Sequence, residues 1–305
     1  MIFTSYSAQM NAWTATDAGF RIWGKAWTDM LDTIGLTQVY SDIDWATAVM
    51  PTAALTYAGK RVYKFNDSLS ETREIYVSVE FGRGSTTYYS FGFAIRLTVG
   101  TAHDSGTVTN YVMKQYFTMN ESPTDGGDIW GVKSDAGFSI YTNLNVNSAS
   151  TMQAGFSIER LCVDGSPSPD GVVMMWAGQA CDLNGTSTTA PKYRVANYLG
   201  GQVFNSVGGQ GSGNANRGFA NYQAIPDTVD SSYAGKAPAI TLDTFGKYDP
   251  VVQFIIVSKF VYSPATEFDA NINGELGTYR IPYSGFCVDN GALSNTYSLL
   301  AFRMS

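Results

Sequence analysis

Residues 75–99, IYVSVEFGRGSTTYYSFGFAIRLTV, decide the fold class. Ile75, Val77, Val79 and Phe81 alternate with Tyr76, Ser78 and Glu80, the period of two that sends successive side chains to opposite faces of a strand. Gly82-Arg83-Gly84-Ser85 supplies a turn, and Tyr89 to Val99 returns as a partner strand that ends at Gly100. Just upstream, Val62, Lys64 and Asn66 alternate with Tyr63 and Phe65. The expected unit is an antiparallel meander.

N-terminal to the meander the period changes. From Asp17 to Ile34 the residues Phe20, Trp23, Trp27, Met30, Leu31 and Ile34 recur every three or four positions, which predicts an amphipathic helix with a tryptophan-rich face. Thr16 or Asp17 can accept from the first free backbone N–H groups, and Gly35 can take the left-handed conformation that ends a helix. The apolar stripe has two readings: burial against the chain's own sheet, or an interface between protomers, where aromatic residues are enriched. Phe20, Trp23, Trp27, Leu31, Trp45 and Phe65 are the candidates for core or interface.

C-terminal to the meander, strands are expected at Thr107–Thr118, Phe138–Leu144, Gln153–Val163 and Val172–Ala177. The last two flank DGSPSPDG (residues 164–171), whose prolines and glycines predict a hairpin with a long, projecting tip. Residues 200–216 are rich in Gly, Asn and Ser and read as a loop. They divide a helix-plus-β region at 1–199 from a smaller β region at 217–305, either separate or part of the same domain. In the second region the apolar run Val251–Tyr262 predicts a central strand buried on both faces, with Tyr279–Ile281, Gly285–Val288 and Tyr297–Phe302 as partners. No internal repeat and no β-helix glycine period is present. The expected fold is therefore mostly β (α+β), with antiparallel, β-sandwich-like sheets and an N-terminal amphipathic helix packed at the side.

Composition narrows the function classes. Charged residues make up 15% of the 305, against roughly 25% in an average protein, so the polar surface falls to Ser, Thr, Asn and Tyr, which are easier to desolvate in assembly. A net charge of −7 argues against nucleic acid as a partner, because that affinity rests on clustered Lys and Arg. No apolar stretch is long enough to span a bilayer, and Met1–Gly19 lacks the basic start and apolar core of a signal peptide. Neither membrane insertion nor secretion is expected. Cys162, Cys181 and Cys287 are widely spaced and odd in number, which fits reduced thiols and a protein made in a cytoplasm.

Chemical motifs are sparse. Ser-His-Asp or Cys-His catalysis needs an imidazole, and the one histidine, His103, sits in GTAHDSGTVTN, where an exposed loop position is expected. Glu80, Glu159, Asp164, Glu267 and Glu275 are the carboxylates that a glycosidase pair could draw on. Strand alternation puts Glu80 and Glu159 on faces expected to be solvated or locally paired. Gly208–Gly213 lacks the Gly-Lys-Ser/Thr end of a phosphate loop, and the acidic stretch Asp125–Asp128 lacks EF-hand spacing. No catalytic residue, metal site or cofactor is expected.

The segment Gly19–Gly84 resembles a group of tailed-bacteriophage virion structural proteins of the tail or baseplate type. The likeness rests on Phe20, Arg21 and Trp23 in the helix, on Asp44 and Trp45, and on Lys64, Phe65, Asn66 and Asp67 before a strand. It continues more loosely to Asn110. It implies a non-enzymatic particle component, assembled in the host cytoplasm as a ring or trimer of copies of itself and in contact with other phage structural proteins. It carries over no catalytic residue. Three other roles stay open: a glycan- or receptor-binding module of a tail fibre or tip, a capsid decoration protein, and a glycan depolymerase. For the first, Asp128, Trp130, Asn143 and Asn145 are candidate contacts with a host-surface glycan, since a tryptophan stacks on sugar faces and Asp and Asn accept from hydroxyls.

Overall fold

A computed structural model describes residues 1–54, 56–84, 93–118, 126–144, 155–177, 179–181, 187–188, 192–197, 203–205, 221–225, 239–243, 249, 253–258, 266–272, 275–281 and 298–305. Strand β1 (Thr4–Met10) precedes helix α1 (Asp17–Thr33). Strands β2 (Thr37–Ser41), β3 (Tyr57–Lys64), β4 (Tyr76–Arg83), β5 (Phe93–Asp104) and β6 (Thr107–Thr118) follow. Next come β7 (Gly127–Lys133), β8 (Gly137–Leu144), β9 (Gly155–Val163) and β10 (Ser166–Ala177). The remainder are β11 (Gln179–Cys181), β12 (Ser187–Thr188), β13 (Lys192–Asn197), β14 (Val203–Asn205), β15 (Asn221–Ile225), β16 (Ala239–Asp243), β17 (Phe254–Ser258), β18 (Glu267–Ile272), β19 (Glu275–Arg280) and β20 (Ser298–Arg303). The fold is mostly β, and every strand pairing among the described residues is antiparallel.

The strands form three sheets. A seven-stranded outer sheet has the order β12-β11-β6-β5-β4-β3-β2 and contains the meander. A seven-stranded central sheet has the order β1-β7-β8-β9-β10-β13-β14. The third, six-stranded sheet, β15-β16-β17-β20-β19-β18, draws all its strands from residues after the Gly-rich stretch. Of that stretch only β14 is described; residues 206–216 lie outside the described residues, as do Gly285–Val288. Within the third sheet β17 lies between β16 and β20, so Phe254–Ser258, the described part of the apolar run, forms an interior strand, and β19 pairs with β20.

The helix packs in the cleft between the outer and central sheets. Thr16 caps it by accepting from Gly19 N at 3.2 Å, and Gly35 at φ 81° turns the chain out of it. Trp23 packs edge-on to Phe81 of the outer sheet, with ring centroids 5.8 Å apart, while Trp27 stacks on Phe156 of the central sheet at 6.0 Å. Both indoles are fully buried. Burying a large aromatic side chain removes about 150–250 Å² from water, roughly 4–6 kcal/mol per ring as an upper bound.

Trp45 closes this core from the β2–β3 connection. Its ring lies edge-on to Phe81 at 4.9 Å, and its Nε1–H donates to Thr28 Oγ1 at 3.0 Å. A glycine in mid-helix lowers helix propensity, yet Gly24 is required: a Cβ there would lie 2.0 Å from the Trp45 ring. Thr28→Val keeps the shape of residue 28 and strands the buried indole N–H. Chemical denaturation of this variant is expected to show a loss of about 1–3 kcal/mol.

Three local expectations are corrected. DGSPSPDG is no projecting loop: Asp164 and Gly165, at φ 52° and 75°, make a two-residue turn, and Ser166 already pairs with Val163. A register shift between Pro167 and Val172 absorbs the prolines, which cannot donate to a ladder. His103 lies in a strand, because β5 continues past Gly100 through a bulge to a turn at Ser105-Gly106. Its ring is half-buried, 4.6 Å from that of Tyr76. Glu159 is not solvated but buried, because the third sheet covers its face of the central sheet.

Candidate functional site

Phe20, Arg21, Asp44, Trp45, Phe65, Asn66 and Asp67 converge on the joints between helix and sheets. Phe20 packs against Trp45 and Phe93, with centroids 5.7 and 5.4 Å away, and Arg21 Nη1 donates to Ala48 O at 3.0 Å. Asp44 Oδ1 accepts from Ala46 N at 2.9 Å and sets the turn that presents Trp45. Phe65 leaves β3 to pack on Phe138 of the central sheet at 5.6 Å. Asn66 Nδ2 donates to Gly35 O at 3.1 Å and so ties the end of the helix to the start of the next turn. Lys64 pairs with Glu74 at 2.6 Å; this contact, with the Tyr76 hydroxyl, holds the Glu74 carboxyl below the usual carboxylate range.

Asp67 makes the deepest of these joints. Its carboxylate and the Arg160 guanidinium of β9 form a paired contact in which both side chains are fully buried. Arg160 Nη2 donates to Asp67 Oδ1 at 3.1 Å and to Arg73 O at 2.5 Å, so one guanidinium pins the connection after β3 to the central sheet.

The six candidates for core or interface, Phe20, Trp23, Trp27, Leu31, Trp45 and Phe65, are all buried. They sit in one cluster with residues of both sheets. The tryptophan stripe is therefore interior in the folded chain.

The other face of the central sheet makes a polar seam with the third sheet. Gln253, fully buried before β17, donates from Nε2 to Ser134 Oγ at 2.8 Å and from its backbone N to Glu159 Oε2 at 2.9 Å. Its Oε1 accepts from Ser139 Oγ at 3.1 Å. Beside this seam Tyr141 stacks on Phe302 with centroids 4.2 Å apart, and its hydroxyl donates to Met304 Sδ at 3.0 Å. Burial pushes the Tyr141 phenol far above its ordinary value, so it stays a donor.

The candidate glycan contacts fall at the rim of this seam. Asp128 lies in β7 opposite Asn143 of β8, and Trp130 lies opposite Tyr141. One face of the Trp130 ring is occupied by the Arg280 guanidinium, 4.3 Å from the centroid, while Arg280 also pairs with Glu267 at 3.0 Å. That face offers no platform to a sugar. Asn145 lies outside the described residues. Asp125, Gly208–Gly213 and Cys287 lie outside them too, and Cys162 is buried. Glu80 is paired across strands with Arg96.

Among the described residues no group of three or more His, Cys, Asp or Glu side chains could hold a metal ion. No helix among them is long and apolar enough to cross a membrane. What the described surface offers instead is backbone at sheet edges. Strand β1 has six exposed residues and β2 three, and each pairs along one side only. Sequence reading missed both strands, because TSYSAQM and TQVYS have too few apolar residues to show alternation. A comparison with protein families finds no match to the chain, and a comparison with curated proteins finds none either.

Proposed function

We propose that this chain is a non-enzymatic structural component of a tailed-bacteriophage virion, of the tail or baseplate, that assembles through copies of itself and neighbouring virion proteins. The observation that carries this reading is the placement of the resemblance residues. Phe20, Arg21, Trp45, Phe65, Asn66 and Asp67 hold the helix between two sheets, and none is free for chemistry on a substrate. Such residues preserve a scaffold. The low charge content and the exposed, uncharged edge strand β1 supply a surface that can be covered at little desolvation cost.

The rival roles draw less support. A sugar stacking on Trp130 would lose the face that Arg280 covers, and a glycosidase pair would have to do without Glu159, which is held by Gln253 inside the seam. Host cytoplasm as the place of synthesis and the mature particle as the destination follow from the same reading.

Purified particles of the phage that encodes this chain provide the test. Mass spectrometry is expected to find the chain in stoichiometric amount in whole particles and in the tail fraction after heads and tails are separated. Absence from whole particles would sink the reading, and recovery with heads alone would move the protein to capsid decoration.

A further inference from the structure

β1 is an edge of the central sheet. It pairs with β7 over all seven residues, from Thr4 opposite Lys133 to Met10 opposite Gly127, with no register shift. The side chains of Thr4 to Gln9 are exposed, and the backbone groups on its outer side have no hydrogen-bond partner among the described residues. Natural sheets blunt such edges with bulges, prolines or charges. β2 has a bulge between Gln38 and Tyr40, and β18 carries Glu267 and Asp269. β1 has none of these. Its sequence, TSYSAQM, holds no proline and no side chain charged at neutral pH.

We infer that β1 pairs antiparallel with the β1 strand of a second copy of this chain, extending the central sheet across a two-fold axis at Ser7. The inference deepens the assembly reading above and rests on it for its biological setting. Alternation places Thr4, Tyr6, Ala8 and Met10 on one face of the sheet and Ser5, Ser7 and Gln9 on the other. About Ser7, Tyr6 lies opposite Ala8, Ser5 opposite Gln9, and Ser7 opposite itself, so faces match and each larger side chain meets a smaller one. Charge points to a copy as the occupant. The chain carries a net charge of −7, and two copies repel wherever acidic surfaces meet, but this edge brings none together. A foreign strand would be selected by charges or side-chain pockets, and β1 offers no charge and, among its exposed side chains, one large group, Tyr6, which the two-fold pairing sets opposite Ala8.

The test uses the full chain in solution. Sedimentation over a wide range of concentration is expected to show a dimer. Ser7→Lys sets like charges opposite each other and is expected to weaken it by roughly tenfold or more, as is Ser7→Glu. At concentrations where the wild type is monomeric both variants should keep its melting curve, since residue 7 is exposed. Mixing the two is expected to restore dimer as a mixed pair, which a merely structural role of Ser7 would not produce. A monomer at every concentration overturns the inference and leaves the edge to another protein's strand. A dimer indifferent to both charges overturns it too. A charge-sensitive dimer from a chain missing in particles would instead overturn the virion reading and leave this pairing standing.

Discussion

Trp27→Ala is expected to lower the unfolding free energy by about 3–5 kcal/mol, the range for emptying a large aromatic site in a packed core. The indole is fully buried and stacked on Phe156, whose strand is held from its other face by the third sheet. A wall supported from behind collapses poorly into a cavity, which argues for the upper part of the range. Ile22→Ala, in the same helix but 40% exposed, is the comparator and should cost no more than about 1 kcal/mol. Denaturant unfolding measures both. Oligomer size should be unchanged in Trp27→Ala, because the ring does not reach the surface. A Trp27→Ala protein of wild-type stability and altered size would return the stripe to an interface role.

The same contrast shows which parts of this fold a single sequence makes legible. The helix was readable because its stripe has a period between three and four, a capping threonine and a terminal glycine, all local signals. The meander was readable because Val77, Val79 and Phe81 alternate with polar residues. Glu159 was misread for a reason that no local pattern contains. Alternation tells that Ser157 and Glu159 share the face opposite Phe156 and Ile158, and that face is usually wet. Here a further sheet, beginning more than fifty residues later in the chain, covers it and brings Gln253 to the carboxylate. The hairpin tip failed differently. Asp164-Gly165 is the dipeptide that a two-residue turn favours, but the following prolines outweighed it, since a bulge that tolerates proline leaves no trace in composition.

Arg160 was not singled out in the sequence at all, and it carries the second large effect. Arg160→Met removes the cation and leaves the Asp67 carboxylate fully buried without its partner, a change that costs about 3–5 kcal/mol in comparable buried pairs. Arg160→Lys should also destabilise, since an ammonium cannot reproduce the planar fork that reaches Asp67 and Arg73 O together. The informative variant is the double one, Arg160→Met with Asp67→Leu. If the pair serves mainly to neutralise two buried charges, an apolar pair of similar volume is tolerated and recovers most of the loss. A double-mutant cycle by denaturant unfolding would then give a large coupling between the positions. Asp67 has a second duty, however: its Oδ1 also accepts from Leu69 N at 3.0 Å and shapes the turn that follows Asn66. Recovery should therefore be incomplete, and the shortfall measures how much of Asp67 belongs to the turn. A double variant no better than Arg160→Met would mean that the turn, and with it the tether between the outer and central sheets, depends on the carboxylate itself.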